Sequence, residues 1–205
     1  MTKALIMVDI QNDFMPGGAL PTREGDAIVE VVNRLQPHFP LVFATQDWHP
    51  QNHGSFASNH PGKTPGEVID LGGIQQVLWP DHCVQETQGA EFHPDLDVDR
   101  IEAVIRKGTD PAIDSYSGFF DNAHRKATGL EEQLRSRDVT DVCVVGLATD
   151  YCVRFTTLDA LALGFKVAVV RDACRGVELQ DGDIESAFEE MRTTGAEIVG
   201  SSQIG

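Results

Sequence analysis

Short apolar runs alternate along this chain with amphipathic stretches, and that alternation restricts the fold more than any other feature. Runs of Val, Ile and Ala without strict polar alternation suit strands buried on both faces, which occur in mostly parallel sheets covered by helices. They fall at Ala4 to Asp9, Leu41 to Gln46, Glu102 to Arg106, Val142 to Leu147, Lys166 to Arg171 and Glu197 to Val199. Helical periodicity covers Asp26 to Gln36, Gly129 to Arg137, Tyr151 to Leu163 and Asp183 to Thr194. Thr128 with Glu131 has the spacing of a capping box, and Gly164 and Gly195 stand where a helix end favours a left-handed residue. The order predicts an α/β fold of three layers, α/β/α, around a mostly parallel six-stranded sheet. A length of 205 residues suits a single domain, 1–205.

One segment breaks the pattern. Residues 48–94 are loaded with Pro, Gly, Asn and His, and hold His49, His53, His60, His82 and His93 of the chain's 7 histidines. A connection that long in a compact domain is functional or disordered. The histidines favour function, and the expectation is a metal- and substrate-binding loop region.

A formal net charge of -16 sets the average surface against phosphate backbones and anionic lipid, so neither nucleic acid nor membrane is expected as a partner. No apolar run is long enough to cross a bilayer, and the first, Ala4 to Ile10, is short and broken by Asp9. A cytoplasmic protein is expected. The 4 cysteines, Cys83, Cys143, Cys152 and Cys174, form no close pair and are read as reduced thiols. Cys143 lies inside an apolar run and reads as core; Cys174 and Cys83 read as packing residues, Cys83 with a second reading beside His82 near a metal.

Ligands of open parallel sheets bind at the carboxyl ends of the strands. There the apolar runs stop at Asp9, Asp47 and Lys107, and the fourth enters Leu147-Ala148-Thr149-Asp150-Tyr151-Cys152. A cysteine opening a helix is favoured as thiolate by the unpaired amides and dipole of the helix N-terminus. Those amides, with the Ala148 N–H, can also hold an oxyanion. Asp47-Trp48-His49 puts a carboxylate and an imidazole two residues apart, on one side of an extended segment, and His82 offers a third arm. Without thiolate, this donor set suits zinc, iron or manganese. The bland alternatives are a helix-capping Asp9, a solvated Lys107, a packing Cys152 and a histidine-rich surface loop.

Several segments together resemble one family. Val8-Asp9-Ile10-Gln11-Asn12-Asp13-Phe14, Thr45-Gln46-Asp47-Trp48-His49-Pro50, Trp79-Pro80-Asp81-His82-Cys83-Val84, Arg106-Lys107-Gly108, Tyr116-Ser117-Gly118-Phe119 and Gly146-Leu147-Ala148-Thr149-Asp150-Tyr151-Cys152-Val153 stand in the order found in the nicotinamidase branch of the isochorismatase-like hydrolases. The resemblance spans nearly the whole chain. It implies a catalytic triad of Asp9, Lys107 and Cys152, an oxyanion hole from Ala148 and Cys152, and a cis peptide between Leu147 and Ala148. It also implies one divalent metal ion, zinc first among candidates, on Asp47, His49 and His82. Phe14, Trp79, Tyr116 and Leu147 would wall an aromatic amide substrate. Ser55 stands where some relatives carry a further ligand, with His53 nearby; a contribution from either is left open.

The activity implied is hydrolysis of nicotinamide to nicotinate and ammonia through a cysteine thioester, feeding NAD salvage, with pyrazinamide a second substrate and self-association open. Two rivals remain. Another amidohydrolase of the superfamily, acting on ureido or carbamoyl groups, would keep the triad without the Asp-x-His and His82 set. A non-catalytic metal- or metabolite-binding protein would keep only the scaffold.

Overall fold

A computed structural model describes residues 2–204 of the chain. Six strands form one parallel sheet: β1 Thr2–Val8, β2 Leu41–Asp47, β5 Ile101–Lys107, β6 Val139–Leu147, β7 Lys166–Arg175 and β8 Glu197–Val199. The helices are α1 Ala27–Leu35, α2 Leu130–Arg135, α3 Arg154–Ala162 and α4 Asp183–Thr194. Strand order is β5-β2-β1-β6-β7-β8.

Alternation of side chains along a strand makes the layers. In β1, Ala4, Ile6 and Val8 enter one core with Leu130 and Leu134 of α2, Ala160 of α3 and Phe188 and Met191 of α4. Leu5 and Met7 enter the other core, with Ile28, Val32 and Leu35 of α1. The spacing of those three α1 residues keeps them on one helical face, and burying each contributes about 1.5–3 kcal/mol. The expected three-layer α/β/α architecture is the one observed.

The order also explains the position of the site. From β1 the chain steps outward through β2 to β5, and from β6 it steps the other way through β7 to β8. The reversal opens a crevice beyond the carboxyl ends of β1 and β6, where successive connections leave in opposite directions. Val8 pairs with Gly146 and Asp47 with Lys107, so the residues that end these strands meet at one level.

Three local readings differ. Segment 48–94 is not without regular structure: it holds an antiparallel hairpin, β3 Val68–Leu71 and β4 Ile74–Val77. Gly72 and Gly73 turn it with φ of 62° and 89°, a backbone that favours glycine at both positions. The capping box shifts, because Gly129 is the N-cap residue: the Thr128 hydroxyl accepts the Leu130 N–H at 3.2 Å while donating to Gly118 O at 2.6 Å. The third helix is preceded by a wider π-helical turn, Thr149–Val153, which carries Cys152.

Candidate active site

Asp9 leaves β1 with φ of 49° and is fully buried. Its Oδ1 accepts the Thr45 hydroxyl at 2.6 Å, and Lys107 Nζ lies 2.8 Å from its Oδ2. The same ammonium donates to Asp47 Oδ1 at 2.5 Å, to Ser115 O at 3.0 Å and to Cys152 Sγ at 3.4 Å. Carboxylate oxygens of Asp9 and Asp47 and the Cys152 sulfur all lie within 4.8 Å of one another. Three residues far apart in sequence are thereby brought into contact, and Lys107 is turned inward.

Burial dominates the electrostatics. It raises the Asp9 carboxyl to about 6, a rise that Lys107 partly offsets. Burial would also raise Asp47, but Lys107 and then His49 reverse this and hold it well below the carboxylate range. Desolvation works against the Lys107 charge, yet Asp47 and Asp9 outweigh it and keep the ammonium well above its ordinary pKa. Burial pushes the Cys152 thiol up as well. Burial thus works against the thiolate that the helix terminus and Lys107 favour, and Asp9 stands close enough to take the thiol proton.

The second group lies beside the first. Asp47, His49 and His82 offer donor atoms within 4.8 Å of one another. His49 Nδ1 is bonded to Gly108 O and His82 Nδ1 to Pro80 O, each at 2.8 Å. A carbonyl accepts, so each Nδ1 carries a proton and Nε2 is the atom turned toward Asp47, the orientation that ligating histidines use. The Nε2 atoms stand 3.7 and 4.0 Å from Asp47 Oδ2. Burial lowers His82 to about 4 and keeps it neutral, as ligation requires. Gly108 permits this arrangement, since a Cβ there would overlap the His49 ring.

Residues outside the expected set hold the group in place. Gln11 clasps the Asp47 backbone, accepting its N–H and donating to its carbonyl, each at 2.8 Å. Asp13 Oδ2 accepts the Cys83 N–H at 2.7 Å, next to His82. Cys83 thus serves through its backbone, and its thiol belongs to none of the ligand clusters among the described residues. Ser55 bonds to His53 Nδ1 at 2.7 Å, while His53 Nε2 is buried without a hydrogen-bond partner among the described residues. Donor atoms of His53 and Asp114 lie within 4.8 Å of one from His49, so His53 borders the ligand group.

A narrow cavity is lined by Cys152 with Phe14, Trp79 and Tyr116, and also by Leu20, Asp114, Ala148, Tyr151 and Val177. Gln76 of β4 and the Trp79 indole both donate to the Tyr116 hydroxyl, at 2.9 and 3.1 Å. Leu147 does not face this cavity. It is packed in the α1-side core, and Ala148 forms the wall at that point. The peptide between them is cis.

The isochorismatase domain model matches residues 3–203. The chain belongs to the isochorismatase family. Among its relatives, this isochorismatase-family chain is 52% identical to a nicotinamidase of Escherichia coli over 200 residues, which cover 96% of this chain and 93% of that one. A solved nicotinamidase and pyrazinamidase of Acinetobacter baumanii superposes with a TM-score of 0.96 at 48% identity, covering 100% and 98% of the two chains. The pyrazinamidase of Pyrococcus horikoshii, solved in complex with zinc, gives 0.79 at 44% identity, over 98% and 99%.

Proposed function

We propose that this isochorismatase-family protein is a nicotinamidase, an amidohydrolase that converts nicotinamide to nicotinate and ammonia in pyridine nucleotide salvage, with pyrazinamide a further substrate. The names of its E. coli and A. baumanii counterparts support the reading. One observation carries it: the buried Lys107 ammonium touches a thiol, a carboxylate able to act as base, and the carboxylate of a three-ligand group. This cluster lies beneath a cavity walled by aromatic rings.

The chemistry follows from the protonation states. Asp9, ionised above about 6, takes the Cys152 proton as the sulfur attacks the amide carbonyl carbon. The N–H groups of Ala148 and Cys152 hold the oxyanion. The Asp9 proton then passes to the leaving nitrogen, the C–N bond breaks, and ammonia departs from a thioester. Asp9, again ionised, deprotonates a water that hydrolyses the thioester and restores the thiol. Lys107 stays charged throughout and holds the carboxylate and sulfur in place. Phe14, Trp79 and Tyr116 hold the flat ring by stacking and edge contacts.

Asp47, His49 and His82 fit one divalent ion, zinc by the P. horikoshii precedent, with iron or manganese also compatible with nitrogen and oxygen donors. When bound, the ion supplies a Lewis acid for the ring end of the substrate. We read residues 1–205 as a single hydrolase domain, with 48–94 as its metal- and substrate-binding region. The partner is a small aromatic amide. Among the described residues no helix is long and apolar enough to cross a membrane. Four unpaired thiols suit a reducing compartment, the cytoplasm.

The test is ammonia release from nicotinamide, pyrazinamide and a ureido substrate, with and without chelator. Turnover of the first two, impaired by chelator, is expected; preference for the ureido substrate would refute the reading.

A further inference from the structure

Asp150 stands two residues before Cys152 and takes no part in the chemistry above, yet it is buried, at 5% exposure. Its Oδ1 accepts the Val177 N–H at 3.0 Å and its Oδ2 the Glu178 N–H at 2.7 Å. Those amides belong to the segment between β7 and α4, and Val177 is one wall of the cavity. Gly176 lets the segment close in, because a Cβ there would lie 2.9 Å from Asp150 Oδ1. Glu178, exposed, keeps a left-handed φ of 53°, a conformation that needs an outside hold in a residue other than glycine. Other bonds nearby, Gln180 N–H to Asp183 Oδ2 and Gly182 N–H to Glu178 Oε1, run within the segment or to the start of α4. They do not tie it to the turn that carries Cys152.

We propose that Asp150 is a positioning residue that pins Val177 against the substrate cavity from the same turn that carries the nucleophile. One carboxylate then fixes the spacing between the sulfur and the wall that meets the aromatic ring. The inference deepens the nicotinamidase reading and rests on it: Asp150 governs how tightly the ring is gripped and which ring substituents are refused. Its loss acts on substrate binding and selectivity more than on bond making.

A double-mutant cycle decides this. KM and kcat for nicotinamide are measured in Asp150→Ala, Val177→Ala and the double variant, with kcat/KM for nicotinamides bearing a methyl group at each free ring carbon. Each single variant is expected to raise KM roughly tenfold with little change in kcat, and the double variant to do no worse than either, because coupled residues are non-additive. The same methylated substrates should gain in both singles, and Asp150→Asn, which keeps one acceptor oxygen but sets an NH2 against the other amide, should raise KM less than Asp150→Ala does. Additive effects, or a loss confined to kcat, would overturn the proposal. If Asp150→Ala does not fold, Gly176→Ala displaces the same segment with Asp150 intact, and an unchanged KM there would overturn it equally. Absence of nicotinamide turnover in the wild type would instead count against the underlying function.

Discussion

Replacing Lys107 by methionine keeps most of the side chain's length and removes the cation from among Asp9, Asp47 and Cys152. Breaking a buried ion pair by deleting one partner costs about 3–5 kcal/mol. At about 1.36 kcal/mol per pH unit, that is enough to raise the Asp9 pKa by roughly 2–4 units. In the wild type this carboxyl lies at about 6, so it is largely ionised at neutral pH and ready to accept a proton. In the variant it is protonated there, and kcat/KM at neutral pH should fall by about 100-fold or more. The protonated form is inactive, so the acid limb of the pH profile should move upward and activity should return in alkaline buffer.

Stability carries the opposite sign. A folded-state Asp9 pKa above its unfolded value of 3.8 means that folding binds a proton, so stability falls as pH rises between the two values. In Lys107→Met that window widens. Melting temperatures should already differ in acid, where the wild type keeps the Lys107–Asp47 pair, and the gap should widen by roughly 10 °C toward mild alkali, at about 2–4 °C per kcal/mol for a chain of this size. An acid limb that does not move, or a melting gap independent of pH, would refute the electrostatic role given to Lys107.

Cys152→Ala should lower kcat by at least about 10⁴-fold with an unchanged circular dichroism spectrum, and substantial residual turnover would exclude covalent catalysis by this sulfur. Thr45→Val removes a 2.6 Å bond to the Asp9 carboxylate, one of a class worth about 1.5–3 kcal/mol, and should move the acid limb upward by about 1–2 units. Gly108→Ala should displace the His49 ring and weaken zinc affinity by about tenfold or more, read by competition with a chromogenic chelator.

The sheet was legible because strands buried on two faces leave continuous apolar runs, and each of the six predicted runs overlaps a strand. Their order was not, since periodicity marks strands but not neighbours. The hairpin at 68–77 was missed although Gly72-Gly73 between Leu71 and Ile74 is a two-residue turn signal; its strands of four residues each are too short to show a period. Gln76, which that hairpin brings to Tyr116, was missed with it. Asp9, Asp47 and Lys107 could be read because each ends or directly follows a predicted apolar run, and His49 and Cys152 because they come just after one; His82 rested on the resemblance. Leu20 and Val177 could not, because a cavity wall gathers residues from loops with no shared periodicity. Leu147 was misplaced toward the cavity, because a residue at the end of a buried strand can as readily turn into the core.

The division of labour within Asp47, one oxygen toward Lys107 and the other toward His49 and His82, bears on how such a protein can change over time. Asparagine would lose the charge on both sides at once, and glutamate would set both oxygens a methylene too far out. No substitution here is partial. A lineage adapting to a new amide could redesign the rings around the cavity step by step, while this one position stays a fixed hinge between two machineries that cannot drift apart.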